Sequence, residues 1–253
     1  MWTEAIAANE RFFPVLTGGV LTLNWQRSRR EPLYLELSHH LSIDTPIPPG
    51  VPPIRFRHHF SMERGDVSNL FVLAFSNHTG THIDAPWHFV RDGLPISKFG
   101  LEEFVFERPL CVDISIGDGE ILRPADFEPH FAAIKHCDLL LLRTGYARVR
   151  REDPERYRTF APGMSVEGAE YVVDKFPKLR ALGLDTVSLA CMQRLEEGLE
   201  AHRVLLRGEG RRFLIIEDMN LDHDLSQLKQ VFALPLFIDG VDSAPCTVIG
   251  ISC

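Results

Sequence analysis

The sequence predicts an α/β domain carrying a mixed sheet or partial barrel, and three observations predict it. The first half is rich in short apolar runs of strand length. The second half alternates such runs with helical ones. Its 253 residues, 45% hydrophobic and 25% charged, supply core for one large domain, and a single domain over residues 1–253 is expected. In chain order, strands are expected at Leu33–Ser38, Ile54–Phe60, Leu70–Phe75, Leu110–Ser115, Asp138–Arg143 and Phe213–Glu217. Val231–Ile238 and Thr247–Ser252 are also strand-like, and Val248–Ile251 is expected as an exposed interface strand rather than core. Helices are expected at Ala125–Lys135, Ser165–Phe176 and Glu196–Arg207. The second has Ser165 as N-cap, Glu167 in its first turn and Pro177 as a stop. The third ends at Gly208. Between the first two strands, Thr45 to Pro53 is the one extended Pro-rich stretch, a stiff connector able to wall the mouth of a site.

Charge and composition exclude several function classes. A net charge of −8 disfavours nucleic acid or an anionic membrane as partner. The basic cluster Arg148-Val149-Arg150-Arg151 is followed by Glu152-Asp153 and reads as a solvated face of mixed charge. No apolar run approaches the roughly 18 residues of a membrane span. The opening MWTEAIAANERFF lacks a signal peptide's basic start and apolar core. Five cysteines without a CxxC pair point to reduced thiols and a cytoplasmic setting.

The chemistry concentrates in SNHTGTHIDAPWHF, residues 76–89, which holds His78, His82, Asp84 and His88. Imidazole nitrogen and carboxylate oxygen are the donors that zinc, manganese and similar ions accept. Thr79-Gly80-Thr81 disfavours a regular helix, so His78 and His82 are expected on a turn. His82 and Asp84 are two apart and point the same way on an extended segment. Pro86 stiffens the exit towards His88, which lies over the open side of the ion. Glu217 ends an apolar run, where α/β proteins collect functional groups, and a buried charge there needs a partner or a metal. His202 begins a helical stretch. The other seven histidines, including the adjacent pairs His39-His40 and His58-His59, are expected in structural roles.

His78-x-Gly80-Thr81-His82-x-Asp84-x-Pro86-x-His88 matches HxGTHxDxPxH at every specified position. The sequence therefore resembles the cyclase family of metal-dependent hydrolases, which includes kynurenine formamidases and isatin hydrolases. Glu36-Leu37-Ser38-His39, Asp44-Thr45-Pro46, Gly183-Leu184-Asp185-Thr186 and His202-Arg203-x-Leu205-Leu206 extend the likeness. The resemblance implies a swivelling β/β/α fold. It implies His78, His82 and Asp84 around a first ion, with Asp84 bridging to a second completed by His202 and Glu217. It also implies His88 as acid/base and a homodimer or higher homo-oligomer.

The expected reaction is hydrolysis of an amide or lactam C–N bond in a small-molecule substrate, using one or two divalent ions, zinc or manganese. Trp87 and Phe89, and less so Phe60, are candidates for an apolar substrate wall. Kynurenine formamidases resembling this family carry a tryptophan in the Pro-rich loop where Pro48 stands here, so formylkynurenine is not the first choice. A lactone hydrolase, or a non-catalytic metal or small-molecule binding protein, remains the alternative.

Overall fold

A computed structural model describes Val15–Thr17, Val20–Thr22 and residues 32–252. The N-terminal segment read above for a leader and the last cysteine, Cys253, lie outside the described residues. The chain divides into two compact units, Met1–Glu31 and Pro32–Cys253. In the first, β1 (Val15–Thr17) and β2 (Val20–Thr22) form an antiparallel hairpin.

The second unit opens with β3 (Leu33–Glu36), the antiparallel pair β4 (Arg55–Phe60) and β5 (Leu70–Ala74), and the short β6 (His82–Asp84). Next come β7 (Val105–Phe106), β8 (Pro109–Asp113), β9 (Ile121–Leu122), α1 (Pro124–Phe127), α2 (Phe131–Ile134) and β10 (Leu139–Arg143). They lead to α3 (Tyr146–Glu152), α4 (Pro154–Phe160), β11 (Gly163–Met164), α5 (Val166–Lys175) and β12 (Ala181–Leu184). The chain ends with α6 (Leu195–Arg207), β13 (Leu214–Glu217), β14 (Leu228–Pro235) and β15 (Ser243–Ser252).

Nine strands make one mixed sheet in the order β7-β14-β15-β6-β13-β12-β10-β8, with β3 also on β15. β8, β10, β12 and β13 run parallel, while β6, β15, β14, β7 and β3 join antiparallel. The two ends of that order, β7 and β8, are separated in the chain only by Glu107 and Arg108, so the sheet curls back on itself into a nearly closed barrel. Asp138 secures the seam by accepting from the backbone N–H groups of Glu107 and Arg108 at 3.0 and 2.9 Å. The expected mixed sheet or partial barrel is therefore what the chain forms.

Alternation along the strands sorts the core into two layers. Ile83, Leu139, Leu141, Ala181, Leu214, Ile216, Val231 and Val248 fill one face from strands all round the sheet. Leu140, Leu142, Leu182 and Ile215 face the other way and pack under α5 and α6 through Val172, Ala201 and Leu205. Ser165 caps α5 as expected, its side chain accepting from the Gly168 N–H at 3.0 Å.

Three expectations need correction. Val248–Ile251 is not an exposed interface strand: it pairs with β14 on one side and β3 on the other, and Val248 is fully buried. Ala125–Lys135 is not one helix but α1, a 3-10 turn Glu128–His130 and α2, because Pro129 cannot donate the N–H that continuity requires. The basic cluster lies on α3, where Arg148 is solvated as expected but Arg150 is partly buried in an ion pair with the buried Asp218.

Candidate metal centre

The parallel strands deliver their C-terminal ends to one rim of the sheet, and β6 starts there in the opposite direction. Register places Glu217 directly across from His82, and Ile215 across from Asp84. Cross-strand partners and residues two apart share a face, so His82, Asp84 and Glu217 point together. That face is the one under α6, since Ile215 belongs to the helix-covered layer. α6 brings His202 onto the same point, 3.0 Å from Glu217 Oε1.

Backbone carbonyls set the tautomers. His82 Nδ1 lies 2.7 Å from the Gly80 carbonyl and His202 Nδ1 lies 2.8 Å from the Gly198 carbonyl, so each donates there and turns Nε2 inward. Gly80 is required twice over. Its φ is +63°, and a Cβ there would collide with Leu41 Cδ2, four residues before the Pro-rich loop. His78 sits between two carboxylates, Nδ1 at 3.0 Å from Asp84 Oδ1 and Nε2 at 3.0 Å from Asp242 Oδ2. Three donor groups result among the described residues: His78, His88 and Asp242 form one, and the other two share Asp84. His78, His82 and Asp84 each bring one ligand atom within 4.8 Å of the others, and so do Asp84, His202 and Glu217.

Asp84 thus belongs to two of the three groups. It is fully buried, yet neither carboxylate oxygen has a hydrogen-bond partner, and neither has His82 Nε2. The contacts around them, 3.0 Å from His78, 3.5 Å from His82 to Asp84 and 3.3 Å from His82 to Glu217, satisfy distance without hydrogen-bond geometry. Buried polar atoms of this kind are rare and costly. Converging, unpartnered nitrogen and oxygen donors fit a divalent cation.

The electrostatics agree with that fit. Burial alone would lower His78, but the carboxylates of Asp242 and Asp84 outweigh it and raise it to about 10. His82 and His202 are likewise raised against their burial, by Asp84 and Glu217 and by Glu217 respectively. Burial pushes Glu217 up, yet His202 and His82 hold it well below the usual carboxylate range. Glu217 Oε1 also accepts from the Leu189 N–H at 2.6 Å. Cation binding at such donors displaces protons.

His88 stands beside the two donor groups built around Asp84 and belongs to the third. Its ring lies 4.1 Å from that of His78, and its Nδ1 is 2.7 Å from Asp242 Oδ2. Asp242 also accepts from Asn77 Nδ2 at 2.7 Å. Burial raises Asp242, but His78 and His88 hold it far below the carboxylate norm. Asp242 was not singled out from the sequence. It lies alone after a Gly turn, 154 residues from His88, with no local pattern to mark it.

A cavity of about 530 Å³ opens next to this cluster, bounded by Phe75, Asn77, Trp87, Ile238, Asp242 and Pro245. Trp87 is thus on its wall. Phe89 and Pro48 are not; Phe89 stacks on His202 at 4.9 Å between centroids. Phe60 lies on the exposed β4 strand.

The chain is 27% identical to a kynurenine formamidase of Bacillus mycoides over 216 residues, 85% of this chain and 96% of the relative. Isatin hydrolase A from Labrenzia aggregata, solved with benzyl benzoate, has a similar fold: TM-score 0.72, 23% identity, 87% of this chain and 94% of that one. Isatin hydrolase A from Ralstonia solanacearum gives a TM-score of 0.73 at 20% identity, covering 88% and 92%. The family model described as Putative cyclase matches residues 35–190, well over half of the chain, with the His78–His88 motif inside it. The chain belongs to the cyclase family.

Proposed function

We propose that this protein is a metal-dependent hydrolase cleaving the C–N bond of an amide or lactam. In this reading His78, His82, Asp84, His202 and Glu217 are the metal ligands and His88 is the acid/base. One observation carries it: the buried Asp84 carboxylate, shared by two donor sets, has no hydrogen-bond partner. A buried carboxylate is retained where a partner or a cation offsets its desolvation, and unpartnered nitrogen and oxygen donors converging on it favour the cation. Nitrogen and oxygen donors without sulfur suit zinc or manganese, and the sharing of Asp84 favours two ions over one. When bound, the metal supplies Lewis-acid polarisation of a carbonyl and lowers the pKa of water.

The side chains do the rest. Asp242 fixes His88 through Nδ1, leaving Nε2 to take a proton from water and return it to the leaving nitrogen. The cavity beside His88, walled by Phe75, Trp87 and Ile238, suits a flat apolar substrate. The kynurenine formamidase relative supports the amide class. The test is metal content of purified protein, followed by hydrolysis of formanilides, isatin-like lactams and lactones with and without chelator. Hydrolysis of the first two that disappears with the metal, and a His82→Ala variant lacking both, are expected. Turnover undiminished after complete metal removal would overturn the reading.

Residues 32–253 are proposed to form the hydrolase domain, working in the cytoplasm. None of the described cysteines is in a disulfide, and no described helix is long and apolar enough to cross a membrane. The protein is proposed to assemble as a homodimer or higher homo-oligomer through the β4–β5 hairpin. Every residue of both strands is exposed, including Phe56, Phe60, Phe71 and Leu73 at 37–53%. A two-stranded ribbon bare on both faces is marginal alone, and so large an apolar patch marks an interaction site.

A further inference from the structure

Asp218 follows Glu217 at the end of β13 and is the only non-glycine with positive φ among the described residues, at 53°. Aspartate tolerates this region better than most side chains but is still disfavoured in it, and the surroundings hold it there. They do so at every polar atom. Its N–H donates to the Thr186 carbonyl at 2.8 Å, and its carbonyl accepts from Thr81 Oγ1 at 2.5 Å. Its carboxylate, 2% exposed, takes a two-pronged contact from Arg150 at 2.6 and 2.9 Å and a third from Tyr157 Oη at 2.5 Å.

The bonds to Asp218 converge from separate elements. Arg150 comes from α3 and Tyr157 from α4. The first turn of α3 is itself anchored by buried Asp185, which follows β12 and accepts from the N–H groups of Thr144 and Gly145 at 2.9 Å each. Thr81 lies between Gly80 and His82, so its bond to Asp218 ties the start of β6 to the end of β13. Those two strand ends carry His82 and Glu217. A buried ion pair serving only to fill the core is no better than apolar packing. This one instead maintains a strained backbone one peptide from a proposed ligand.

We propose that Asp218, clamped by Arg150 and Tyr157, is a positioning residue that fixes the Glu217 carboxylate and, through Thr81, the His82 imidazole for cation binding. It rests on the metal-site reading above and adds a second layer to it. Partners of ligands commonly change metal affinity by about 10–100-fold when removed. Arg150→Lys loses the planar two-pronged grip while keeping the charge. Tyr157→Phe keeps the ring and loses one bond.

The test titrates Zn(II) into chelator-stripped wild type, Arg150→Lys, Tyr157→Phe and Glu217→Gln, competed against a chromophoric chelator. Far-UV circular dichroism and the melting temperatures of stripped and Zn-loaded protein are read in parallel. Zn(II) affinity about 10–100-fold weaker in Arg150→Lys is expected. Tyr157→Phe should fall between it and wild type, and the Zn-dependent gain in melting temperature should shrink in both. A purely structural clamp would lower the stripped and loaded melting temperatures equally and leave affinity unchanged. That result, with Glu217→Gln still losing Zn(II), overturns the clamp alone. Should Arg150→Lys not fold, Tyr157→Phe decides by the same criterion. Wild type and Glu217→Gln binding Zn(II) equally would overturn the metal-site reading, and the clamp with it.

Discussion

Replacing His88 by Asn separates proton transfer from metal retention. The structure allows the cost of the substitution to be worked out. His88 is 24% exposed and gives Asp242 one of three donors. Asn77 Nδ2 at 2.7 Å and His78 Nε2 at 3.0 Å remain, so the carboxylate is not stranded. The stability loss is one charge-assisted hydrogen bond in a partly solvated place, about 1–2 kcal/mol. His88 forms a donor group with His78 and Asp242 but belongs to neither group built around Asp84, so metal held by those two is expected to stay. Turnover should fall by about 10²–10⁴, the usual range for a general acid–base contribution. That range is roughly 3–5 kcal/mol in the barrier. Metal per chain by atomic emission and steady-state hydrolysis of a formanilide, on the same preparation, give both numbers. Loss of metal in proportion to activity would refute the assignment by making His88 a ligand. Full metal with full turnover would leave it no chemical role.

Other perturbations reach different parts of the chain. Gly80→Ala forces a Cβ onto φ +63° and into Leu41. It should lower the melting temperature by roughly 3–8 °C and weaken metal binding, because the Gly80 carbonyl orients His82; an unchanged melting curve would contradict this. Phe71→Lys combined with Leu73→Lys on the bare hairpin should give monomer in sedimentation velocity with unchanged circular dichroism, and a monomeric wild type at micromolar concentration would remove the assembly proposal. His39 is lowered to about 4 by burial and the neighbouring Arg150 and Arg151, against an opposing pull from Asp218. An unfolded His39 takes up its proton near pH 6.5 while the folded one does not. Its contribution is therefore intact above pH 6.5 and lost as pH falls towards 4, at most about 3 kcal/mol. His39→Gln should flatten that stretch of the urea-midpoint profile, and an identical profile would show that His39 does not set it.

What the sequence made legible follows from how local each feature is. His78, His82, Asp84 and His88 fall within one turn, one short strand and one 3-10 turn, so spacing alone nearly determines their convergence. The apolar runs of β10 and β13 read as strands because burial on both faces leaves them continuously apolar, whereas β15 alternates buried with half-buried positions over residues 248–252. α3 and α4 were not expected. Tyr146–Glu152 is highly charged, and its buried side is carried by Tyr146, Ala147 and the ion-paired Arg150 rather than by an apolar stripe. Arg150 looked solvated because a basic run beside acids usually is; only the fold reveals Asp218 beneath it. Barrel closure was hidden as well, since no local signal says that β7 and β8, neighbours in the chain, end at opposite edges of the sheet order.

That closure also explains where the donors meet. A purely parallel sheet would present only strand C-termini at its rim, as β12 and β13 do with Asp185 and Glu217. Inserting β6 antiparallel between β13 and β15 brings a strand's first residues to the same rim, and with them the Gly80 turn. The proposed ligands, from a turn, a strand start, a strand end and a helix, then converge without any long side chain having to reach. The continuation of the same register carries Ser243 opposite Asp84, which sets Asp242 beside His78 and His88. The proposed proton handling and metal binding would therefore be coupled through two adjacent strands, β6 and β15. A change that slips their register should disable both together, whereas a change in His88 alone should disable one.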